Sequence, residues 1–332
     1  MEKKIKQPRV LIIYGPTGVG KTDLALAIAQ QVPAEIINMD VGQFYTPLSI
    51  GTAKPDWKNS PIPHHLFDII DTPINYTVNQ YRSLAYEKIK EIHARGKLPI
   101  LVGGSGFYLH ALLFLSPVFI GADAPLAVSK NVDHKNGPVR QSFSGGGWQQ
   151  LYEIDPVRAE AIDKSDTYRI ERALDIWHTT GKLPSSFMPV YKPEVDYKLV
   201  FVERDRGELR NRISARVLEM FEQGWIEETE KLIGTPWEQF IRKKNLIGYR
   251  EILNYLASER SSAEFSRMVE LISTQTSQYA KRQFTFWRKL EREIKKEKQY
   301  TGESIGCLET VNLTNAKIDL SLINLLIGKN YE

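Results

Sequence analysis

The stretch Gly15-Pro16-Thr17-Gly18-Val19-Gly20-Lys21-Thr22 fits G-x-x-x-x-G-K-[ST], the pattern of the glycine-rich P-loop that holds phosphates. The apolar residues 10–14 before it predict a buried parallel strand, and residues 23–29 after it predict a helix. A strand, a glycine loop and a helix in this order point backbone N–H groups and a helix N-terminus at an anion. Lys21 adds a positive charge, and the Thr22 hydroxyl is suited to Mg²⁺. The stretch therefore predicts a phosphate site, without saying whose phosphate it holds.

Strands and helices alternate along the rest of the first third of the chain. Residues 34–39 predict a second strand that ends at Asp40, and residues 98–102 predict a third strand that leads into a glycine turn. This alternation favours an α/β fold, a P-loop NTPase-like parallel sheet flanked by helices. Because the carboxyl ends of parallel strands meet at one edge of a sheet, we expect Asp40 to lie close to the P-loop.

The alternation breaks at residue 116. Glycines and prolines are frequent between residues 116 and 195, and residues 155–162 and 167–180 are helical in pattern, which predicts a small, mainly helical inserted domain. We expect residues 1–115 and 196–298 to form the catalytic core. Residues 299–332 are weakly patterned, and we expect them to form a C-terminal tail.

The composition indicates more about the cellular location of the protein than about its function. The chain has 332 residues, a net charge of +4 and one cysteine, Cys307, so no internal disulfide is possible and we expect a cytoplasmic protein without a membrane segment. Residues 241–298 hold fourteen Lys and Arg against seven Glu. Such an excess fits either a solvated helix face or a surface for a nucleic-acid backbone.

A nucleotide kinase is the first function that the P-loop suggests. Such enzymes hold Mg²⁺ with an acidic residue at the end of an apolar strand, but residues 98–102 run into Gly103-Gly104 without an acid. A kinase therefore requires Asp40 to be the Mg²⁺ residue. The adjacent His64 and His65 suggest a metal, but they lack a third ligand at a typical spacing, and we expect a structural role for them.

Seven segments, in order from residue 15 to residue 288, resemble the motifs of the tRNA dimethylallyltransferases of bacterial type. The P-loop is similar to the family's GPTxxGKT, and residues 39–45 with 50–55 are similar to DSxQVYRGMDIGTAKP. The other matches are to PHHLIDI at 63–69, VGGTGLY at 102–108, QRIxRALE at 168–174, IGYKE at 247–251 and YAKRQxTWxR at 279–288. The lone Cys307 cannot form the zinc finger that eukaryotic relatives add.

The resemblance implies that a dimethylallyl group passes from dimethylallyl diphosphate to N6 of adenosine 37 beside the tRNA anticodon, giving N6-isopentenyladenosine. The P-loop would then hold a leaving group rather than ATP, with Asp40 as general base. It implies four catalytic residues, Asp40, Lys21, Thr22 and Arg216, and Mg²⁺ as cofactor with Thr22 as its ligand. The implied diphosphate-binding residues are Gly15, Pro16, Thr17, Gly18, Val19, Gly20, Lys21, Thr22 and Arg212.

The family also implies a tRNA partner, whose anticodon stem-loop the inserted domain grips, and we expect the enzyme to act as a monomer. The insert holds nine Lys and Arg against ten Asp and Glu, so it is not a basic patch as a whole. The implied tRNA-binding residues are Asp40, Val41, Gly42, Gln43, Ser105, Tyr168, Arg169, Ile170, Glu171, Arg172, Lys281, Arg282 and Arg288.

Several positions depart from the family pattern. Val41 stands where the family has Ser, Gly42 where it has Met, Thr46 where it has Arg and Tyr168 where it has Gln, and residues 121–147 follow no usual pattern. These changes leave the diphosphate residues intact and fall on expected tRNA contacts. Beside the kinase, the sequence leaves open a prenyltransferase of free adenine nucleotides and a non-catalytic RNA-binding protein.

Overall fold

The apolar run before the glycine loop forms β1, Val10–Tyr14, and all five of its residues are buried. In the computed structural model, which describes residues 10–115, 146–187, 189–301 and 306–328, β1 lies between two parallel neighbours. These are β4, Leu98–Gly103, and β7, Tyr197–Glu203. A strand that is covered on both faces has to be apolar throughout, which explains why β1 shows no alternation.

The sheet places the ends of these strands at one edge. Among the described residues it contains six parallel strands in the order β3-β2-β4-β1-β7-β8, completed by β2 (Ala34–Asn38), β3 (His64–His65) and β8 (Cys307–Asn312). Tyr14 pairs with Gly103, and Asn38 pairs with Val102. The P-loop, Asp40 and the glycine turn after β4 therefore start at the same edge, as the sequence predicted.

Helices cover both faces of this sheet, as in the α/β fold that the alternation predicted. Those before the inserted segment are α1 (Lys21–Ala29), α2 (Val78–Ala94) and α3 (Gly106–Leu113). The helices between α3 and α7 belong to the inserted segment. Those after it are α7 (Arg206–Glu222), α8 (Trp225–Glu230), α9 (Pro236–Lys244), α10 (Tyr249–Leu256), α11 (Ser262–Thr301) and α12 (Leu320–Ile327). None of the described helices combines the length and the apolar composition needed to cross a membrane.

The C-terminal residues belong to the core sheet, so the prediction of a separate tail over 299–332 is wrong. The strand β8 pairs with β7 from Lys198 to Glu203, and α12 buries Leu326 in the same hydrophobic cluster as Leu24 and Ile28 of α1. The pattern was weak because β8 is an edge strand, in which Val311 alone is buried. An edge strand needs few apolar residues, since one of its sides faces solvent.

The chain divides into two compact units, Met1–Leu113 with Pro193–Glu332, and Phe114–Lys192. The second unit contains α4 (Gly147–Ile154), α5 (Pro156–Glu160), α6 (Thr167–Thr180) and an antiparallel pair, β5 (Phe114–Leu115) with β6 (Val190–Tyr191). Its own small core consists of Leu151, Ala159, Ile162, Ile170, Ala173 and Leu174. The helices α5 and α6 lie where the sequence predicted helices, whereas α4 was not predicted. The unusual segment 121–147 falls outside the described residues up to residue 145.

Candidate active site

The P-loop takes the conformation that its glycines permit. Gly18 and Gly20 have φ angles of 79° and 105°, in the region that a side chain makes costly, and Gly20 is the N-cap of α1. The Lys21 ammonium donates to the carbonyl oxygen of Pro16 at 2.8 Å. The loop therefore closes around its own lysine and directs the N-terminus of α1 at the space in front of it.

A cavity of about 450 Å³ opens at this edge of the first unit. Its walls include nine of the residues that the sequence singled out, namely Thr17, Gly18, Gly20, Lys21, Thr22, Asp40, Gln43, Arg212 and Arg216. The lining also includes Thr52, Ala53 and Pro55 from the IGTAKP segment, residues 50–55, with His64 and Phe67 from the segment 63–69. Motifs far apart in the sequence therefore meet in one cavity.

Three of the predicted diphosphate residues do not line this cavity. The Val19 side chain is fully buried in the core. Gly15 lies against β7, where a Cβ atom would come within 2.4 Å of the Val202 carbonyl oxygen. Pro16 uses its carbonyl oxygen to accept from Lys21. These residues shape the loop, and their predicted role in binding the diphosphate stays a prediction.

Charges of both signs meet inside the cavity. Burial lowers the pKa of Lys21 to about 8, with Asp40 opposing this shift and Arg216 adding to it. Burial raises the pKa of the Asp40 carboxyl, although Lys21, the Gly104 N–H and Arg216 lower it. An acid whose pKa is raised is a stronger base once it is ionised, and one that stands beside an anion site is a candidate for proton transfer.

The backbone around Asp40 is held from several sides. Its N–H donates to Asn38 Oδ1 at 2.8 Å, and the Asn38 amide donates back to the Asp40 carbonyl oxygen at 3.1 Å. The N–H groups of Gly104 and Gly42 donate to the carboxylate. Ser105 Oγ accepts from the Val41 N–H at 3.2 Å and lies 3.5 Å from Asp40 Oδ1. Val41, Gly42 and Ser105 thus surround Asp40 without lining the cavity.

Two arginines reach the P-loop from α7, one helical turn apart. Arg216 lies 3.4 Å from the Thr17 hydroxyl, and Arg212 donates from Nε to the Gly18 carbonyl oxygen at 2.9 Å. Residues spaced by four share a helix face, which is why the R-x-x-x-R spacing brings both side chains to the same loop. Arg212 is exposed, whereas Arg216 is partly enclosed by the cavity.

A glutamate that the sequence did not single out holds the IGTAKP segment in place. Glu228 of α8 accepts from the N–H groups of Ser49 and Ile50 at 3.1 and 2.8 Å, and from the Tyr249 hydroxyl at 2.5 Å. Gln43 uses its side-chain amide within the same segment, donating to the carbonyl oxygens of Thr52 and Ala53 at 3.1 and 3.2 Å. Gln43 therefore stabilises the conformation of the IGTAKP segment.

The two adjacent histidines have different surroundings. His65 bonds Glu35 at 2.6 Å, and Arg95 also donates to this buried glutamate. His64 bonds the Ile62 carbonyl oxygen through Nδ1, while its Nε2 is buried without a hydrogen-bond partner in the described structure. The described residues contain no group of three His, Cys, Asp or Glu that could hold a metal ion. The structural role predicted for His65 agrees with its hydrogen bond to Glu35. His64 lines the cavity, which the sequence did not indicate.

The remaining predicted tRNA residues lie on two helices. Tyr168, Arg169, Glu171 and Arg172 are exposed on α6 of the second unit. Ile170, between them, is 4% exposed and belongs to that unit's core, so the predicted contact of its side chain with tRNA is wrong. In the first unit, Lys281, Arg282 and Arg288 are exposed on α11.

Comparison with known proteins identifies the family to which this chain belongs. The family model described as IPP transferase matches residues 43–290, and that of the AAA ATPases matches residues 11–62. The tRNA dimethylallyltransferase of Petrotoga mobilis is 37% identical over 85% of this chain and 91% of its own. The chain belongs to the tRNA dimethylallyltransferase family. The family member from Geobacter sulfurreducens is also 37% identical, over 85% of this chain and 89% of its own.

Solved structures of the dimethylallyltransferase family share the fold. The tRNA isopentenylpyrophosphate transferase of Bacillus halodurans matches with a TM-score of 0.62 and 28% identity, over 96% of both chains. A eukaryotic dimethylallyltransferase acting on tRNA matches with a TM-score of 0.72 and 28% identity, over 96% of this chain and 76% of its own. The resemblance stated from the motifs is thereby confirmed for this chain at the level of the family and of the P-loop fold.

Proposed function

We propose that this dimethylallyltransferase moves the dimethylallyl group of dimethylallyl diphosphate to N6 of adenosine 37 in tRNA. The N6–C1 bond forms as the C1–O bond to diphosphate breaks, and the proton of N6 passes to Asp40. The observation that carries the proposal is one cavity in which Asp40 shares the space with an anion-binding loop, Lys21 and Arg216. A prenyl transfer needs both, because a weak amine must lose its proton while a diphosphate departs.

The P-loop side of the cavity suits a departing diphosphate. Lys21 and Arg216 supply positive charge, and the N–H groups at the N-terminus of α1 supply oriented dipoles. Thr22 is exposed beside them, and no carboxylate cluster is available for a metal among the described residues. Thr22 is the residue that would hold Mg²⁺ here, and the ion would neutralise charge on the departing diphosphate.

The base has to leave its stack to reach Asp40, as in other enzymes that modify a base. The exposed cations on α11 of the first unit, and separately those on α6 of the second, are suited to the phosphates of a nucleic acid. The strand β4 ends at Gly103 and supplies no acid for a kinase-type Mg²⁺ site. Incubation with labelled dimethylallyl diphosphate and Mg²⁺ in the presence of tRNA, AMP or ATP, followed by nucleoside analysis, tests the acceptor. Isopentenyladenosine in tRNA alone supports the proposal, and label in free nucleotides or in none of them overturns it.

The role of Asp40 has its own test. Asp40→Ala should lower kcat by about 10²- to 10⁴-fold, because the amine loses its proton acceptor. Binding of tRNA, measured by filter retention, should stay within about threefold of wild type, since the variant keeps the exposed cations. The exposed Asp71 provides the control, and Asp71→Ala should leave both quantities unchanged. Full activity of Asp40→Ala would exclude Asp40 as the base.

A further inference from the structure

The helix α11 forms a hydrogen bond with the P-loop through the side chain of Gln283, which is 4% exposed. Its Oε1 accepts from the Thr17 N–H at 2.9 Å, and its Nε2 donates to the Gly104 carbonyl oxygen at 2.8 Å. Each end of the amide therefore meets a partner of the opposite kind. A carboxylate or an apolar side chain of the same size could not make both bonds.

The Gly104 end of this contact leads to the proposed base. The Gly104 N–H donates to the Asp40 carboxylate, while the carbonyl oxygen of the same residue is held by Gln283. A continuous chain of hydrogen bonds thus runs from Thr17 of the P-loop, through the Gln283 amide and Gly104, to Asp40. Its two ends are the two halves of the cavity, namely the anion cradle and the carboxylate.

The glycine turn after β4 is shaped to admit this amide. A Cβ atom on Gly104 would lie 2.2 Å from Gln283 Nε2, and one on Gly106 would lie 2.4 Å from the Phe286 ring. Helix α11 has a separate apolar anchor, because the Trp287 ring stacks on Phe201 with 4.7 Å between the ring centres. The helix therefore stays docked without the amide, and Gln283 is available for a more local task.

We propose that Gln283 is a positioning residue, which sets the P-loop and the Asp40 carboxylate at the spacing that the transfer requires. The inference rests on the proposed function for its catalytic meaning. Gln283 does not line the cavity and reaches it through Thr17 and Gly104. Small displacements between reacting groups have large effects on rate, so the loss should fall on kcat more than on binding.

The test uses Gln283→Met and Gln283→Leu in the full chain, since both remove the two hydrogen bonds at nearly constant volume. We expect kcat to fall by about 10- to 100-fold, with KM for dimethylallyl diphosphate within about threefold of wild type. Two variants are made so that poor folding of one does not end the experiment. Gln223→Met, at an exposed position after α7, is the matched control and should behave as wild type.

A second readout does not depend on turnover. With the Gly104 carbonyl released, its N–H should hold the carboxylate less well, so Asp40 should titrate at higher pH in both Gln283 variants than in wild type, by ¹³C NMR of labelled aspartate. Unchanged titration together with unchanged kcat would overturn the inference. A loss confined to KM with unchanged titration would also overturn it. A wild-type protein that modifies no tRNA, with the titration shift present, would overturn the proposed function and support the positioning role.

Discussion

Lys21 carries a charge that depends on pH within the range where the protein can be assayed. Burial lowers its pKa to about 8, so the charged form prevails below pH 8 and is lost above it, earlier than for an ordinary lysine. Diphosphate binding needs the charged form. The Kd of inorganic pyrophosphate should therefore rise above pH 8, by up to about tenfold per pH unit, in calorimetric titrations at constant Mg²⁺.

The control for this pH dependence is Lys21→Met. The variant keeps the ligand's own titration and lacks that of the lysine, so the difference between the two profiles belongs to Lys21. We expect weak binding at all pH values and a difference from wild type that narrows as pH rises through 8. Parallel profiles for both proteins would show that Lys21 does not govern the affinity.

Residues of the cavity differ in how far the sequence could reveal them. Lys21, Thr22 and Asp40 were predictable because a motif or a strand end fixes each of them locally. Gln283 was not, because its contact with Thr17 spans 266 positions and depends on how closely α11 approaches the glycine turn. A structural role was predicted for His64 because no third metal ligand lies at a typical spacing from it. Its place in the cavity wall follows from the parallel pairing of β3 with β2.

At the scale of elements, α8 holds the IGTAKP segment in place, and this segment lines the cavity. Glu228 accepts from the N–H groups of Ser49, Ile50 and Gly51 at 3.1, 2.8 and 3.3 Å. The variant Glu228→Ala leaves these backbone donors without their acceptor. The free energy of unfolding should fall by about 2–3 kcal/mol, measured by urea denaturation.

The same variant should loosen the segment selectively. Amide hydrogen exchange at residues 49–51 should become faster in Glu228→Ala. The amides of the buried strand β1 should remain the slower ones to exchange, as in wild type. Glu227 is the neighbouring exposed glutamate of α8, and Glu227→Ala should leave both stability and exchange close to wild type. Equal effects of the two substitutions would mean that the charge of α8, rather than the contacts of Glu228, supports the segment.

At the scale of the whole molecule, the alternation of strands and helices was enough to predict the central sheet, because β1, β2 and β4 are buried throughout and mostly apolar. The end of the chain could not be predicted in this way. The strand β8 is held by backbone hydrogen bonds to β7, and side-chain patterns do not record such bonds. The place of β8 in the sheet is therefore visible only in the folded structure.

The contribution of the C-terminal residues to the core can be measured with two adjacent leucines of α12. Leu326 is fully buried in the main hydrophobic cluster, whereas Leu325 is 59% exposed. Leu326→Ala should lower the free energy of unfolding by about 2–5 kcal/mol, because it removes buried apolar atoms and leaves a cavity. Leu325→Ala should change it by no more than about 0.5 kcal/mol. Urea denaturation of both variants decides the matter, since a dispensable tail would give two equally small values, whereas a C-terminal segment that completes the core gives a large value for Leu326 alone.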